Sequence, residues 1–147
     1  MRKVLLFVLL VSGFAQVNAQ EMKVITVVES IVPMGLGRSR IIEEQGDVNY
    51  ADFTTERTDG KKSDQGDVKR KDAKIDKFSE TKLLNFFSGV GINFQNIASN
   101  DALISSKIND MLQNGWDLKF VTSGVESVGG KDDKNGLFIT RLFFVKK

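Results

Sequence analysis

Residues 100–120 read NDALISSKINDMLQNGWDLKF, and a change of period inside that stretch decides the fold class. Leu103, Ile104, Ile108, Met111 and Leu112 fall on about half of a helix circumference at roughly 100° per residue. Asn100 is placed to accept the first unpaired amides, and Asp101 suits the positive end of the helix. Gly115 tolerates the left-handed geometry of a helix stop, and Trp116 follows where it can fold back on the last turn. From there the period drops to two. Trp116, Leu118 and Phe120 alternate with Asp117 and Lys119, which predicts a half-buried strand with those three side chains on one face.

Working outward, residues 137–145 (LFITRLFFV) are apolar on both faces, as suits a strand inside a sheet. Residues 129–136 (GGKDDKNG) connect it to the Trp116 strand as a hairpin loop, with Asn135-Gly136 tolerating positive φ. Residues 22–32 (MKVITVVESIV) are rich in β-branched side chains and are closed by Pro33, a further strand. If this first strand runs parallel to the Trp116 strand through a right-handed crossover containing the helix, the last strand inserts between them, antiparallel to both. The expected fold is α+β: a small, mainly antiparallel sheet of three or four strands, a split β-α-β-β in the spatial order first, third, second, carrying one main helix.

Between these parts lies a polar section. From Thr54 to Lys74 only Val68 and Ala73 are left to bury, so residues 43–77 are expected to form a polar, partly disordered insertion. Gln45-Gly46-Asp47-Val48 recurs once as Gln65-Gly66-Asp67-Val68, too few copies for a repeat architecture. The basic residues of 61–77 have no aromatic interleaved, and no nucleic-acid partner is expected. Phe78, Phe86, Phe87 and Phe94 then surround Leu83, Leu84, Val90 and Ile92. Here a short helix capped by Ser79 and running to Asn85, or a strand followed by an ordered loop, are both open.

The chain begins with Arg2 and Lys3, an apolar run over residues 4–11, and Val17-Asn18-Ala19, the pattern of a secretory signal peptide cleaved after Ala19. Residues 20–147 are then a single exported domain, in the periplasm or outside the cell. No Cys follows to accept a lipid, and no later run is long enough to span a bilayer. Cleavage removes two of the 21 basic residues and balances the 19 acidic ones, so the mature chain is formally neutral. The 147 residues contain no His and no Cys. That excludes thiol nucleophiles, imidazole bases and the usual zinc sites, and an exported domain without disulfides must hold itself together by packing.

Residues 108–118 (INDMLQNGWDL), followed by a loop and a last strand ending in Lys146-Lys147, resemble an uncharacterised bacterial family of short domains, domain of unknown function 4177. Its members show a strand, a helix ending in Gly-Trp-Glu-Leu, and a hairpin. Residues 22–32 would supply the family's first strand. Asp117 stands where Glu is usual, and the section from Pro33 to Ile97 is far longer than the family's connection. The family carries no assigned activity, so the resemblance implies a fold and no functional residue.

Several constellations resemble chemical sites. Ser79-Glu80-Thr81-Lys82 has the Ser-x-x-Lys spacing of penicillin-recognising enzymes but lacks their Ser-Asp-Asn and Lys-Thr-Gly elements. Laying residues 131–142 on a calcium loop puts Lys131 and Leu142 where carboxylates belong. Glu43 and Glu44, adjacent on an extended chain, point to opposite faces and cannot flank one bond. The most suggestive segment is Gly35-Leu36-Gly37-Arg38-Ser39-Arg40. Gly35 and Gly37 permit close backbone approach, Arg38 and Arg40 can fork onto a carboxylate or phosphate, and Ser39 adds a hydroxyl. The plainer alternative is a turn whose arginines alternate outward from a strand. No catalytic residue, metal or cofactor is expected.

The expected function is a non-catalytic binding or structural module whose partner is a protein or envelope component. The alternative is a small-anion or anionic-glycan binder using the Gly35 to Arg40 loop. One helix covers only one face of a sheet. The second must be covered by residues 78–97, by the insertion, or by another subunit in a homo-dimer.

Overall fold

A computed structural model describes residues 20–31, 38–46, 48–61, 65–126 and 136–146. Among these residues seven strands and one α-helix follow in the order β1 (Glu21–Ser30), β2 (Arg40–Glu44), β3 (Phe78–Lys82), β4 (Phe87–Ser88), β5 (Gly91–Ile92), α1 (Phe94–Gln113), β6 (Asp117–Glu126) and β7 (Leu137–Lys146). The main sheet has five strands in the order β3-β2-β1-β7-β6, every neighbouring pair antiparallel, and β4 and β5 form a separate small hairpin.

The fold class is α+β, as expected, and the last strand does lie between the first strand and the strand after the helix. The strand count is corrected upward to five by β2 and β3. β3 reads Phe-Ser-Glu-Thr-Lys, with one apolar residue in five, so its own pattern is mute. Its strand state comes from pairing with β2, residue for residue from Arg40↔Lys82 to Glu44↔Phe78. The polar insertion leaves from one end of this β2–β3 hairpin. The ladder continues one step beyond it, where Gln45 N–H donates to the Lys77 carbonyl at 3.1 Å. Within the insertion Tyr50–Phe53 and Gln65–Asp67 are single 3₁₀ turns, the first capped by the Asn49 side chain.

The core lies between the sheet and α1. Register places Ile25, Val27, Ile41, Leu142 and Phe144 on one face, where they are buried with Leu83, Met111 and Trp116, and with Ile104, Ile108 and Leu118 packed around them. α1 ends as the glycine predicted: Gly115 has φ 83°, Gly115 N–H donates to the Leu112 carbonyl and Trp116 N–H to that of Met111, both at 3.1 Å, and the Trp116 ring drops into the core.

Two expectations are corrected here. The helix does not start at Asn100. It begins at Phe94, capped by Asn93, whose side chain accepts the Asn96 N–H at 3.2 Å, and Asn100 is fully buried inside it. Nor do Trp116, Leu118 and Phe120 share a face. The β6–β7 register shifts between Leu118 and Phe120, a bulge that turns Phe120 to the other side of the sheet, where it meets Phe143 at 5.7 Å between ring centroids.

Residues 78–97 do not cover the second face. After β3 the chain passes to the helix side, burying Leu83 and setting Phe86 against Phe138 at 5.5 Å. The face opposite α1 therefore presents Met22, Val24, Val28, Ile42, Phe78, Leu137, Ile139, Phe143 and Phe120, all exposed or half-exposed. No helix among the described residues is long and apolar enough to cross a membrane. The expected signal peptide at residues 1–19 and most of the 129–136 loop lie outside the described residues.

Candidate functional site

The open face holds a hollow of about 580 Å³ lined by Val28, Arg38, Arg40, Ile42, Phe78, Glu80, Glu126 and Leu137. Its make-up follows from strand parity. Val28 pairs with Arg40, Ile42 with Glu80, and Leu137 with Glu126, so β1, β2, β3, β6 and β7 each send side chains to the same side. The floor is apolar and the rim charged. Arg40 is ion-paired with Glu80. Arg38 is exposed and has no ion pair among the described residues.

The segment expected to grip an anion is divided by this arrangement. Arg38 and Arg40 both reach the hollow, since alternate residues of an extended chain share a side. Ser39 faces the other way and is buried. Its hydroxyl accepts the Ser30 N–H at 2.9 Å and donates to Asn85 Oδ1 at 2.6 Å, so it ties β1 to the chain leading into α1. It is a structural residue with its hydrogen bonds used. Gly35 and Gly37 lie outside the described residues. Ser79 sits in β3, its backbone opposite Glu43.

Sequence reasoning missed the polar contacts that dock the helix. The inward stripe of α1 is Asn100, Ile104, Lys107, Ile108 and Met111, a helical spacing that includes two polar residues. Asn100 Nδ2 donates to Glu29 Oε1 at 3.0 Å and to the Leu84 carbonyl at 2.8 Å, while Oδ1 accepts the Leu84 N–H at 2.8 Å. Lys107 Nζ meets Glu43 Oε2 at 2.9 Å, and Lys23 Nζ meets Oε1 of the same carboxylate at 3.0 Å. Lys23 and Lys146 also stand 5.4 and 5.7 Å from the centre of the Trp116 ring. The signal was in the spacing: Asn100 is four residues before Ile104 and Lys107 four before Met111, so both fall on the stripe that the apolar residues define.

The two glutamates under the helix are tuned in opposite directions. Burial pushes the Glu29 carboxyl above its ordinary value, the Asn100 hydrogen bond opposes this, and the nearby Asp101 charge adds to the rise. Burial also works against Glu43, but hydrogen bonds and charge from Lys107 and Lys23 outweigh it and hold that carboxyl below its ordinary value. Lys107 is displaced upward, burial being outweighed by Glu43 and Asp110. These groups face the helix, away from the hollow, and are engaged in holding α1 on the sheet. Among the described residues no group of three or more acidic side chains is placed to share a metal ion.

No family model, curated protein or solved structure matches the chain.

Proposed function

We propose that the protein is an exported, non-catalytic binding module, and that its contact surface is the hollow on the open face of the sheet. The occupant is a segment of a partner protein or envelope component that has an apolar body and an acidic group. One observation carries this reading: an apolar floor of Val28, Ile42, Phe78 and Leu137 lies beside an arginine, Arg38, that no described carboxylate engages. The volume of about 580 Å³ falls within the range of small-ligand sites, roughly 300–1,000 Å³. Export rests on the expected signal peptide, and the non-catalytic reading on a composition without His or Cys.

A second reading, a small anion or anionic glycan held at the same place, is favoured by Arg38 alone. Against it, Glu80 already holds Arg40 and Glu126 brings a further negative charge to the rim. A chain that is mostly apolar with one acid suits such a rim better than a multiply charged anion.

Titration with a short peptide of Leu and Ser carrying a single Glu, followed through the methyl resonances of Val28, Ile42 and Leu137, tests the first reading. The expected result is saturable shifts at those methyls and a loss of affinity of about threefold to fivefold in Arg38→Ala, the range of one partly exposed ion pair. Phosphate or heparin fragments that raise the melting temperature, with no response to the peptide, favour the second reading. No response to any of these probes overturns both.

A further inference from the structure

We propose that the protein pairs with a second copy of itself through β6, edge to edge, to make one continuous ten-stranded antiparallel sheet. It concerns the strand edge, shares only Glu126 with the rim of the hollow, and does not depend on what fills it.

The two edges of the five-stranded sheet are unlike. β3, the outer strand on one side, spans only Phe78–Lys82 and carries Glu80 and Lys82, with Lys77 just before it. Short, charged edges resist pairing with another chain. β6, the outer strand on the other side, spans Asp117–Glu126 and among the described residues pairs only with β7. From Phe120 to Val125 it carries no charge and no proline, and every residue from Lys119 onward is exposed. Phe120, Val121 and Val125 are 61%, 49% and 62% exposed. A long, neutral, β-branched edge of this kind is a template for a further strand. Its bulge sits at Leu118/Phe120 and leaves the run that follows regular.

The occupant is argued from self-complementarity. Antiparallel strands related by a two-fold axis normal to the sheet keep each side chain on its own face, so residues of like parity must meet. An axis through Ser123 sets Val121 opposite Val125 of the second copy, twice, on the helix-bearing face, and Thr122 opposite Gly124 on the other. The same axis sets Phe120 opposite Glu126 of the second copy at each end, while Lys119 is held by Asp117 of its own strand and takes no part in the pairing. Cross-strand pairs of β-branched side chains are among the contacts that stabilise a sheet. The symmetry closes on itself: each copy has one open edge and one guarded edge, so pairing through β6 stops at two. A foreign extended peptide would use the same backbone groups without this matched register.

The test is sedimentation velocity on the purified protein over about 1 to about 300 µM, the range in which a small interface dissociates, with amide exchange measured in parallel. The expected result is a concentration-dependent dimer, with β6 amides gaining protection as it forms. Val121→Lys/Val125→Lys, which places like charges opposite each other twice, is expected to be monomeric throughout. Val121→Lys/Val125→Glu, which places opposite charges there, is expected to dimerise again. Because both positions are exposed, a circular dichroism spectrum like that of the unmodified protein is expected for both variants; a variant that fails it is replaced by its counterpart at Thr122 and Gly124, Thr122→Lys/Gly124→Lys for like charges or Thr122→Lys/Gly124→Glu for opposite ones. A monomer at every concentration overturns the proposal. So does a dimer that ignores both double variants, which would put the contact elsewhere, and so does open-ended growth, which would show β3 to be unguarded.

Discussion

The two faces of the sheet are built from the same strands and have opposite fates. On β7, Phe144 is fully buried under the helix while its neighbour Phe143 remains half-exposed on the other side, and on β1 the same holds for Ile25 and Val24. Composition does not distinguish these faces, because both are rich in Val, Ile and Phe. What distinguishes them is that charged residues of the covered face reach the helix: Glu29 is engaged by Asn100, and Glu43, shared with Lys23, by Lys107, whereas the Arg40–Glu80 pair of the open face joins strand to strand. Polar residues on the face toward the helix specify how α1 sits. Most apolar residues on the face away from it, the buried Val145 excepted, stay exposed or half-exposed, and there the hollow lies.

The strongest test of that contrast is truncation. Phe144→Ala is expected to lower unfolding stability by about 4 kcal/mol, as for a large aromatic removed from a close-packed core, and Phe143→Ala by about 1 kcal/mol. Equal losses in chemical denaturation would mean that the open face is covered in solution and would break the comparison. Asn100→Ala comes next, at about 3 kcal/mol, because it strips three hydrogen bonds from one buried side chain and leaves the Leu84 amide and carbonyl without it. The true cap variant, Asn93→Ala, should cost only about 1 kcal/mol. If the two losses were alike, Asn100 would be acting as a cap and the helix would start where the sequence suggested.

Smaller effects sharpen the comparison through pH. Glu43→Gln is expected to cost about 1.5 kcal/mol at neutral pH by leaving Lys107 and Lys23 without their shared carboxylate. The folded-state value of Glu43 lies below the unfolded one, so its contribution is present above the unfolded value and is lost as pH falls through the folded value. The penalty of Glu43→Gln should therefore shrink on acidification. Glu29 has the opposite sign. Its folded-state value is raised, so the charged form is a burden that grows as pH rises through that raised value. Glu29→Gln keeps an oxygen for Asn100 and should raise the melting temperature at neutral pH by under about 3 °C, allowing for partial solvent screening, with no difference at low pH. Melting curves of both variants across the acid range read the two signs directly, and parallel curves would show that neither carboxyl is tuned by the helix.

The particular residues show what kind of information a linear pattern holds. The Gly115 stop, the fold-back of Trp116 and the central position of β7 were legible because each depends on a few neighbouring residues: a left-handed backbone position, an aromatic just beyond it, and a run with no polar face. The placement of Arg38 and Arg40 on one side, with Ser39 on the other, follows from the same local alternation. β3 was not legible, since five residues with one apolar side chain become a strand only when another strand offers its edge. Phe120 was assigned to the wrong face because a bulge is a property of two strands in register and cannot be read from one.

The sequence by itself therefore determined the order of the main elements, the end of the helix and the position of the last strand, all set by short-range periodicity and backbone preference. Only the tertiary structure decided that Asn100 and Lys107 face inward, that Ser39 is a buried tie, and that the hollow has its apolar floor beside Arg38. Those outcomes depend on which distant side chains meet: Glu29 reaching Asn100, Glu43 bridging Lys23 and Lys107, Val28 lying beside Arg40. A polar residue tolerates burial only where such a partner awaits it, and the partner is supplied by the fold.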